Sequence, residues 1–160
     1  MNEGFCDFLN LTFNRYMETP SNQDFLRALV NNFLKGKSIL IIDDEEEILK
    51  VIENYLIKCQ IDRDKIIFAR DGEQALLEFE NNKIGLIIVD LQMPKINGIE
   101  FIEQIKQREE HKEIPIVISS GNINGNNLQT AILLGIRDII VKPFSYNLFV
   151  DRLCKALNIP

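Results

Sequence analysis

Short apolar runs recur along this chain, and they constrain its fold more than any other feature. They cover residues 38–42, 85–89, 115–119 and 138–141, and they consist mostly of Ile, Leu and Val. When helices cover both sides of a parallel sheet, its strands are apolar on both faces. The four runs have this pattern. Parallel strands all end at the same edge of the sheet. The polar residues that end the runs should therefore share one crevice: Asp43 with Asp44, Asp90, Ser120 and Lys142.

The segments between these runs have helical periodicity. Apolar residues recur every three or four positions from Ile48 to Cys59, and residues 65–69 form one more strand-like run. Further helical stripes follow Asp71, Gly98, Asn126 and Ser145. Five alternating strand and helix units predict an α/β fold, with a doubly wound five-stranded parallel sheet.

Residues 1–36 lie outside this repeat and predict an N-terminal helical hairpin. Two apolar stripes flank Pro20, and Ser21 to Asp24 fits a capping box before the second stripe. Five of the ten Phe residues lie here, at positions 5, 8, 13, 25 and 33, which is too much apolar surface to leave in water. We expect the hairpin to dock on the domain formed by residues 37–160. A homodimer or kinase contact would also cover these rings.

Composition excludes several classes of protein. The chain has 160 residues, of which 46% are apolar and 26% charged, as in a soluble globular domain. Its net charge of -6 disfavours nucleic-acid binding, which needs clustered Lys and Arg. The N-terminus has no basic leader, and no apolar stretch is long enough for a membrane span, so a cytoplasmic protein is expected.

The cysteines and the single histidine carry little functional signal. Cys6, Cys59 and Cys154 are odd in number and far apart, which favours reduced buried thiols over disulfides or a zinc site. His111 lies in a polar run and is expected to be a solvated loop residue.

The predicted crevice has the chemistry of a phosphoryl and metal site. The carboxylates of Asp43, Asp44 and Asp90 repel one another, and a hard cation such as Mg²⁺ relieves that repulsion. Lys142 adds a positive charge and Ser120 a hydroxyl donor. Such a site can stabilise a transferring phosphoryl group, with one carboxylate as the nucleophile.

The motifs at the strand ends carry a family resemblance. They are Ile42-Asp43-Asp44-Glu45, Asp90-Leu91-Gln92-Met93-Pro94 followed by Asn97-Gly98, Ser119-Ser120-Gly121, and Lys142-Pro143-Phe144. In this order, and each at a strand end, they make residues 38–157 resemble the receiver domains of two-component response regulators. The resemblance implies the flavodoxin-like strand order 2-1-3-4-5.

The resemblance also implies roles for single residues. Asp90 would accept the phosphoryl group. Asp44, Asp90 and the backbone carbonyl of Gln92 would bind Mg²⁺ directly, and Asp43 would assist through water.

Two further residues would bind the phosphoryl oxygens in such a domain. They are Lys142, in a segment with a cis bond before Pro143, and Ser120. Ser120 is preferred to Ser119 because Gly121 then fills the small-residue position of the family. One departure concerns Ile139, which occupies the position where the family usually carries an aromatic switch residue.

The expected function is that of a single-domain response regulator rather than an enzyme. A histidine kinase or phosphotransfer protein would donate the phosphoryl group, and an unknown downstream protein would read the result. The chain could also be an intermediate or a phosphate sink in a phosphorelay. An Asp-nucleophile phosphohydrolase is an alternative, although Gln92 places an amide where its acid-base carboxylate is expected. A flavin-binding module is another, although Asp43 to Glu47 would repel a phosphate.

Overall fold

The sheet has the predicted architecture. The computed structural model describes residues 27–28, 30, 32–121 and 125–158. Within them, five strands form one sheet: β1 (Ser38–Ile42), β2 (Ile66–Ala69), β3 (Ile84–Val89), β4 (Ile116–Ser120) and β5 (Asp138–Val141). The order is β2-β1-β3-β4-β5, and every neighbouring pair is parallel. The doubly wound sheet and the order 2-1-3-4-5 are therefore confirmed.

Helices cover both sides of this sheet. They are α1 (Glu46–Lys58), α2 (Gly72–Asn81), α3 (Gly98–Ile105), α4 (Gly125–Leu133) and α5 (Tyr146–Ala156). The first core joins α1 and α5 to one face of the sheet, which we call the α1/α5 face. The second core joins α2, α3 and α4 to the opposite face, which we call the α2–α4 face. No helix among the described residues combines the length and the apolar character that a membrane span requires.

Alternation along the strands assigns each side chain to a face. In β3, Leu86 and Ile88 belong to the first core, whereas Ile87 and Val89 belong to the second. All six residues of β3 are buried, since helices cover both sides of this central strand. Two buried faces explain why its sequence is apolar without alternation.

Local signals fix most of the helix ends. Asp71 Oδ1 accepts a hydrogen bond of 2.8 Å from the backbone N–H of Gln74, and Ser145 caps α5 in the same way. Asn97 and Glu100 form a capping box at the start of α3. Gly135, with φ of 79°, follows the end of α4.

The start of α4 and the end of β4 differ from the predicted boundaries. Helix α4 already begins at Gly125, so Asn126 lies inside its first turn rather than before it. Strand β4 extends through Ser120, one residue beyond the predicted run, because its ladder with β5 continues to a pair between Ser120 and Val141. Ser120 is therefore a strand residue.

Only the last turns of the predicted hairpin fall within the described residues. Residues 27, 28, 30 and 32–34 are helical, and Val30 and Leu34 are buried in the first core. Gly36, with φ of 82°, follows this helix. Residues 1–26 lie outside the described part, so the hairpin and the boundary at residue 36 stay predictions.

The described cysteines are free and buried, as expected. Burial raises the pKa of the Cys59 thiol to about 11 and that of Cys154 to about 12, which keeps both unreactive. Cys6 lies outside the described residues.

The expectation for His111 is wrong: its ring is half-buried and packs edge-on against Phe79, with 4.8 Å between ring centroids.

Candidate functional site

Two carboxylates lie side by side at the carboxyl edge of the sheet. The backbone N–H of Asp90 donates to Ile42 O at 2.8 Å, and that of Asp43 donates to Ala69 O at 3.1 Å. These bonds extend the sheet ladder by one residue and hold Asp43 and Asp90 as neighbours. Asp43 is 1% exposed and Asp90 is 4% exposed. Two buried carboxylates in contact need a compensating cation.

Lys142 supplies that cation. Its Nζ lies 2.7 Å from Asp43 Oδ2, 2.7 Å from Asp90 Oδ2 and 3.1 Å from Glu45 Oε1. Lys142 comes directly after β5, and its backbone N–H donates to Ser120 O at 2.9 Å. The Lys142-Pro143 bond is cis, as the resemblance implied. The chain thus brings Lys142 across the end of β4 to the two carboxylates.

The pKa values reflect this burial and pairing. Burial raises the pKa of Asp43 to about 6, although Lys142 and the backbone N–H of Glu45 act in the opposite direction. Burial alone would lower the pKa of Lys142. Its hydrogen bonds to Asp43 and Asp90 and their negative charges outweigh that effect and hold the Lys142 pKa above its ordinary value. The ammonium therefore stays charged at neutral pH.

The carboxylates form an oxygen site that fits a hard cation. Oxygens of Asp43, Glu45 and Asp90 all lie within 4.8 Å of one another. Mg²⁺ prefers a few carboxylate oxygens together with water, and this set provides them. Asp44, expected as a direct ligand, is exposed and lies outside this group. The sequence did not single out Glu45, which lies directly before the start of α1, where acidic residues are common for structural reasons.

The loop after Asp90 folds back closely on that residue. The backbone N–H of Gln92 donates to Asp90 Oδ1 at 3.0 Å. A Cβ atom at Gly98 would lie 2.1 Å from the backbone oxygen of Asp90, so only glycine fits there. Gln92 itself is exposed. These contacts hold the Asp90 carboxylate in place.

The two serines at the end of β4 face opposite sides of the sheet. Ser120 follows the alternation of Ile118, which is in the second core, so it belongs to the α2–α4 face. Ser119 follows Val117, which is in the first core, so it belongs to the α1/α5 face with Asp90. Both serines are buried. Ser120, the predicted phosphoryl ligand, therefore lies on the face of the sheet opposite to that of Asp90.

Ile139 lies beside Ser120 on the α2–α4 face. It is half-buried against the second core, and it pairs with Ile118 across β4 and β5. The side chain of residue 139 is thus on the same face of the sheet as Ser120.

Taken together, these residues form a cation-bridged pair of carboxylates beside further oxygen donors. Asp90 lies in the middle. Asp43, directly after β1, lies beside it, and Lys142 and Gln92 donate to its two oxygens. A carboxylate held in this way can act as a nucleophile, and the charges around it can neutralise a phosphoryl group.

Several known proteins are similar to this chain. A sequence model of the response regulator receiver domain matches residues 39–154. The alkaline phosphatase synthesis transcriptional regulatory protein PhoP of Bacillus subtilis is 35% identical over 110 residues, which are 69% of this chain and 44% of PhoP. A chemotaxis protein CheY homolog of Campylobacter jejuni is 26% identical over 121 residues, which are 75% of this chain and 92% of the homolog. The chain therefore spans less than half of PhoP.

Solved structures agree on the fold. The chemotaxis response regulator CheY4 of Vibrio cholerae matches with a TM-score of 0.67 and 23% identity, over 75% of this chain and 98% of CheY4. A response regulator receiver protein from Pseudomonas putida matches with a TM-score of 0.66 and 26% identity, over 74% of this chain and 96% of that protein.

Proposed function

This chain belongs to the response regulator receiver domain family, and from that membership we propose that it is a phosphoacceptor of two-component signalling, phosphorylated on Asp90. The observation that carries the proposal is the position of the Lys142 ammonium, 2.7 Å from the carboxylates of both Asp43 and Asp90. A buried cation held between two acids is poised to follow new negative charge on either of them.

The proposed reaction is a phosphoryl transfer from a phosphohistidine. A carboxylate oxygen of Asp90 forms a bond to phosphorus as the bond from phosphorus to the histidine nitrogen breaks, and the imidazole leaves. Lys142 neutralises charge on the phosphoryl oxygens, and the hydroxyl of Ser120 joins it after moving from the α2–α4 face. A histidine kinase or a phosphotransfer protein fits the role of donor.

We also propose how the chain would hold Mg²⁺, which when bound supplies charge neutralisation for the transferring group. Asp90, Asp44 and the backbone carbonyl of Gln92 would be direct ligands, and Asp43 would act through water. Glu45 is held at Lys142, whereas Asp44 is exposed and can turn toward the ion at little cost. The donors are all oxygens, as Mg²⁺ requires.

The output would be a change in protein contacts rather than the turnover of a substrate. Relatives of this chain are signalling proteins, such as the CheY homolog, and the phosphoryl group on Asp90 would be the signal. A downstream protein would recognise the changed surface, or a second phosphotransfer protein would accept the group in a phosphorelay.

The proposal is tested by incubating the protein with acetyl phosphate and Mg²⁺. The wild type should gain one phosphoryl group, detected as a labile mass increase on the intact protein. Asp90→Asn should gain none, while its circular dichroism and thermal midpoint show that it is folded. Equal uptake by Asp90→Asn would reject Asp90 as the acceptor.

A further inference from the structure

Ser119 carries a buried hydroxyl that has no hydrogen-bond partner among the described residues. The residue is 1% exposed, and its Oγ atom makes no hydrogen bond. Burying a hydroxyl without a partner is destabilising, so such groups are rare in folded proteins and call for an explanation. The position of Ser119 supplies one.

The sheet register places Ser119 directly beside Asp90. Ile88 pairs with Val117 and Val89 pairs with Ile118, so one further step along β3 and β4 brings Asp90 next to Ser119. Neighbouring strands lie about 4.8 Å apart. Both residues belong to the α1/α5 face. Asp43, Asp90 and Ser119 therefore form one row across the ends of β1, β3 and β4.

The free Asp90 carboxylate does not need the Ser119 hydroxyl. Its Oδ1 accepts from the Gln92 backbone at 3.0 Å, and its Oδ2 accepts from Lys142 at 2.7 Å. On the other side of Ser119, the register places Ile140, which has an apolar side chain. Among the described residues the Ser119 hydroxyl makes no hydrogen bond to these neighbours, and a new group with oxygens attached to Asp90 would supply an acceptor beside it.

We propose that Ser119 is a second hydroxyl donor to the phosphoryl group on Asp90, in addition to the family's switch hydroxyl at Ser120. This inference rests on the proposed function, since it requires a phosphoryl group on Asp90. The group extends beyond the carboxylate and carries negative charge, so a hydrogen bond to it is stronger than one between neutral groups. Ser119 is already on the correct face, whereas Ser120 has to move.

The two serines then have different tasks. Ser119 is a preorganised donor that stabilises the phosphorylated state without a change in the backbone. Ser120 reports that state, because its displacement alters the α2–α4 face. Ser119 sets how tightly the phosphoryl group is held, and Ser120 sets how the rest of the domain responds.

The test uses Ser119→Ala and beryllofluoride with Mg²⁺, a tetrahedral mimic of the phosphoryl group. The variant should bind beryllofluoride about tenfold more weakly, the factor that corresponds to about 1.4 kcal/mol. Its thermal midpoint without beryllofluoride should equal or exceed that of the wild type, because an unsatisfied hydroxyl has been removed. If the role of Ser119 were purely structural, Ser119→Ala would have a lower thermal midpoint and an unchanged affinity for beryllofluoride. That result would overturn the inference.

A matched pair of variants separates the hydroxyl from the size of the side chain. Ser119→Thr and Ser119→Val have the same shape, but only Thr keeps the hydroxyl, so Thr should bind beryllofluoride more tightly than Val. If the added methyl groups prevent folding, Ser119→Cys, which has a weaker donor of similar size, should bind more weakly than the wild type. Wild-type affinity in Ser119→Ala would reject this inference alone, whereas a wild type that does not bind beryllofluoride would reject the proposed function as well.

Discussion

At the scale of single residues, the Lys142 ammonium balances the negative charges of the site. It lies 2.7 Å from Asp43 and from Asp90, both of which are almost fully buried. Burial acts on Asp43 and Lys142, and the ion pair with Lys142 offsets only part of its effect on Asp43, whose pKa remains raised to about 6. Asp43 is therefore a carboxylate that the fold destabilises in its charged form.

This raised pKa predicts how stability depends on pH. The folded-state pKa of Asp43 is about 6 against an ordinary value of 3.8, so the native state binds more protons between these values and loses stability as the pH rises through them. A shift of about two pKa units corresponds to about 3 kcal/mol. Asp43→Asn removes this dependence, so the difference in unfolding free energy between variant and wild type should grow in favour of the variant from pH 4 to pH 7.

Urea unfolding of both proteins at several pH values, in the absence of Mg²⁺, measures this difference. Asp64→Asn, a substitution at an exposed position, is the control. The difference in unfolding free energy between this variant and the wild type should change little over the same pH range. A constant difference between Asp43→Asn and the wild type would show that the pKa of Asp43 is not raised.

At the scale of secondary-structure elements, the ends of β4 and β5 connect the site to the α2–α4 face. Ser120 is the last residue of β4, and its backbone carbonyl accepts a hydrogen bond from the backbone N–H of Lys142. Ile139 in β5 lies on the same face as Ser120 and has no aromatic ring to turn inward. Its β-branched side chain has few rotamers. We therefore expect the signal to pass through displacement of the backbone and of α4, and not through a rotamer change at residue 139.

Ile139→Ala tests this expectation. Because Ile139 is only half-buried, its truncation should lower the unfolding free energy by about 1–2 kcal/mol, less than the 2–5 kcal/mol typical of a buried site. Beryllofluoride affinity, and the amide shifts that beryllofluoride causes in α4, should stay as in the wild type. Ile140→Ala, at the buried neighbouring position, is the control for stability. Loss of the α4 shifts in a folded Ile139→Ala would make Ile139 itself the switch.

The helical turns before β1 supply a further prediction at this scale. Leu34 is buried in the first core, next to Gly85 at the start of β3. Leu34→Ala should therefore lower the unfolding free energy by about 2–5 kcal/mol. Leu133→Ala is the matched control, because Leu133 is 87% exposed and should change stability by less than about 0.5 kcal/mol. Equal stability of the two variants would show that the N-terminal extension does not pack on the domain.

For the whole molecule, the sequence predicted the sheet well because the central strands β1, β3 and β4 are buried between helices and their apolar runs have few alternatives. The residues that follow parallel strands were also predictable, because all these strands end at the same edge of the sheet. The prediction that Asp43, Asp90 and Lys142 lie together there is confirmed. The face of a side chain was harder to predict, because it changes with every residue: Ser119 and Ser120 differ by one position and point to opposite faces. Glu45 was missed because helix starts and metal sites both favour acidic residues.

Binding of Mg²⁺ should stabilise the whole domain by mass action. At ten times its dissociation constant the ion should add about 1.4 kcal/mol to the unfolding free energy, which raises the thermal midpoint by a few degrees. Asp44→Ala should abolish this increase, and Glu45→Gln should retain it. An increase that survives in Asp44→Ala but disappears in Glu45→Gln would make Glu45 the ligand.

The central claim is that Asp90, between Asp43 and Lys142, carries the phosphoryl group. The most direct measurement treats the protein with acetyl phosphate and Mg²⁺, reduces the acyl phosphate with borohydride, and maps the modified residue by peptide mass spectrometry. We predict reduction of residue 90 to homoserine in the wild type and of no other residue. Homoserine at position 43 or 44, or none at position 90 in a protein that has taken up phosphate, would contradict this account.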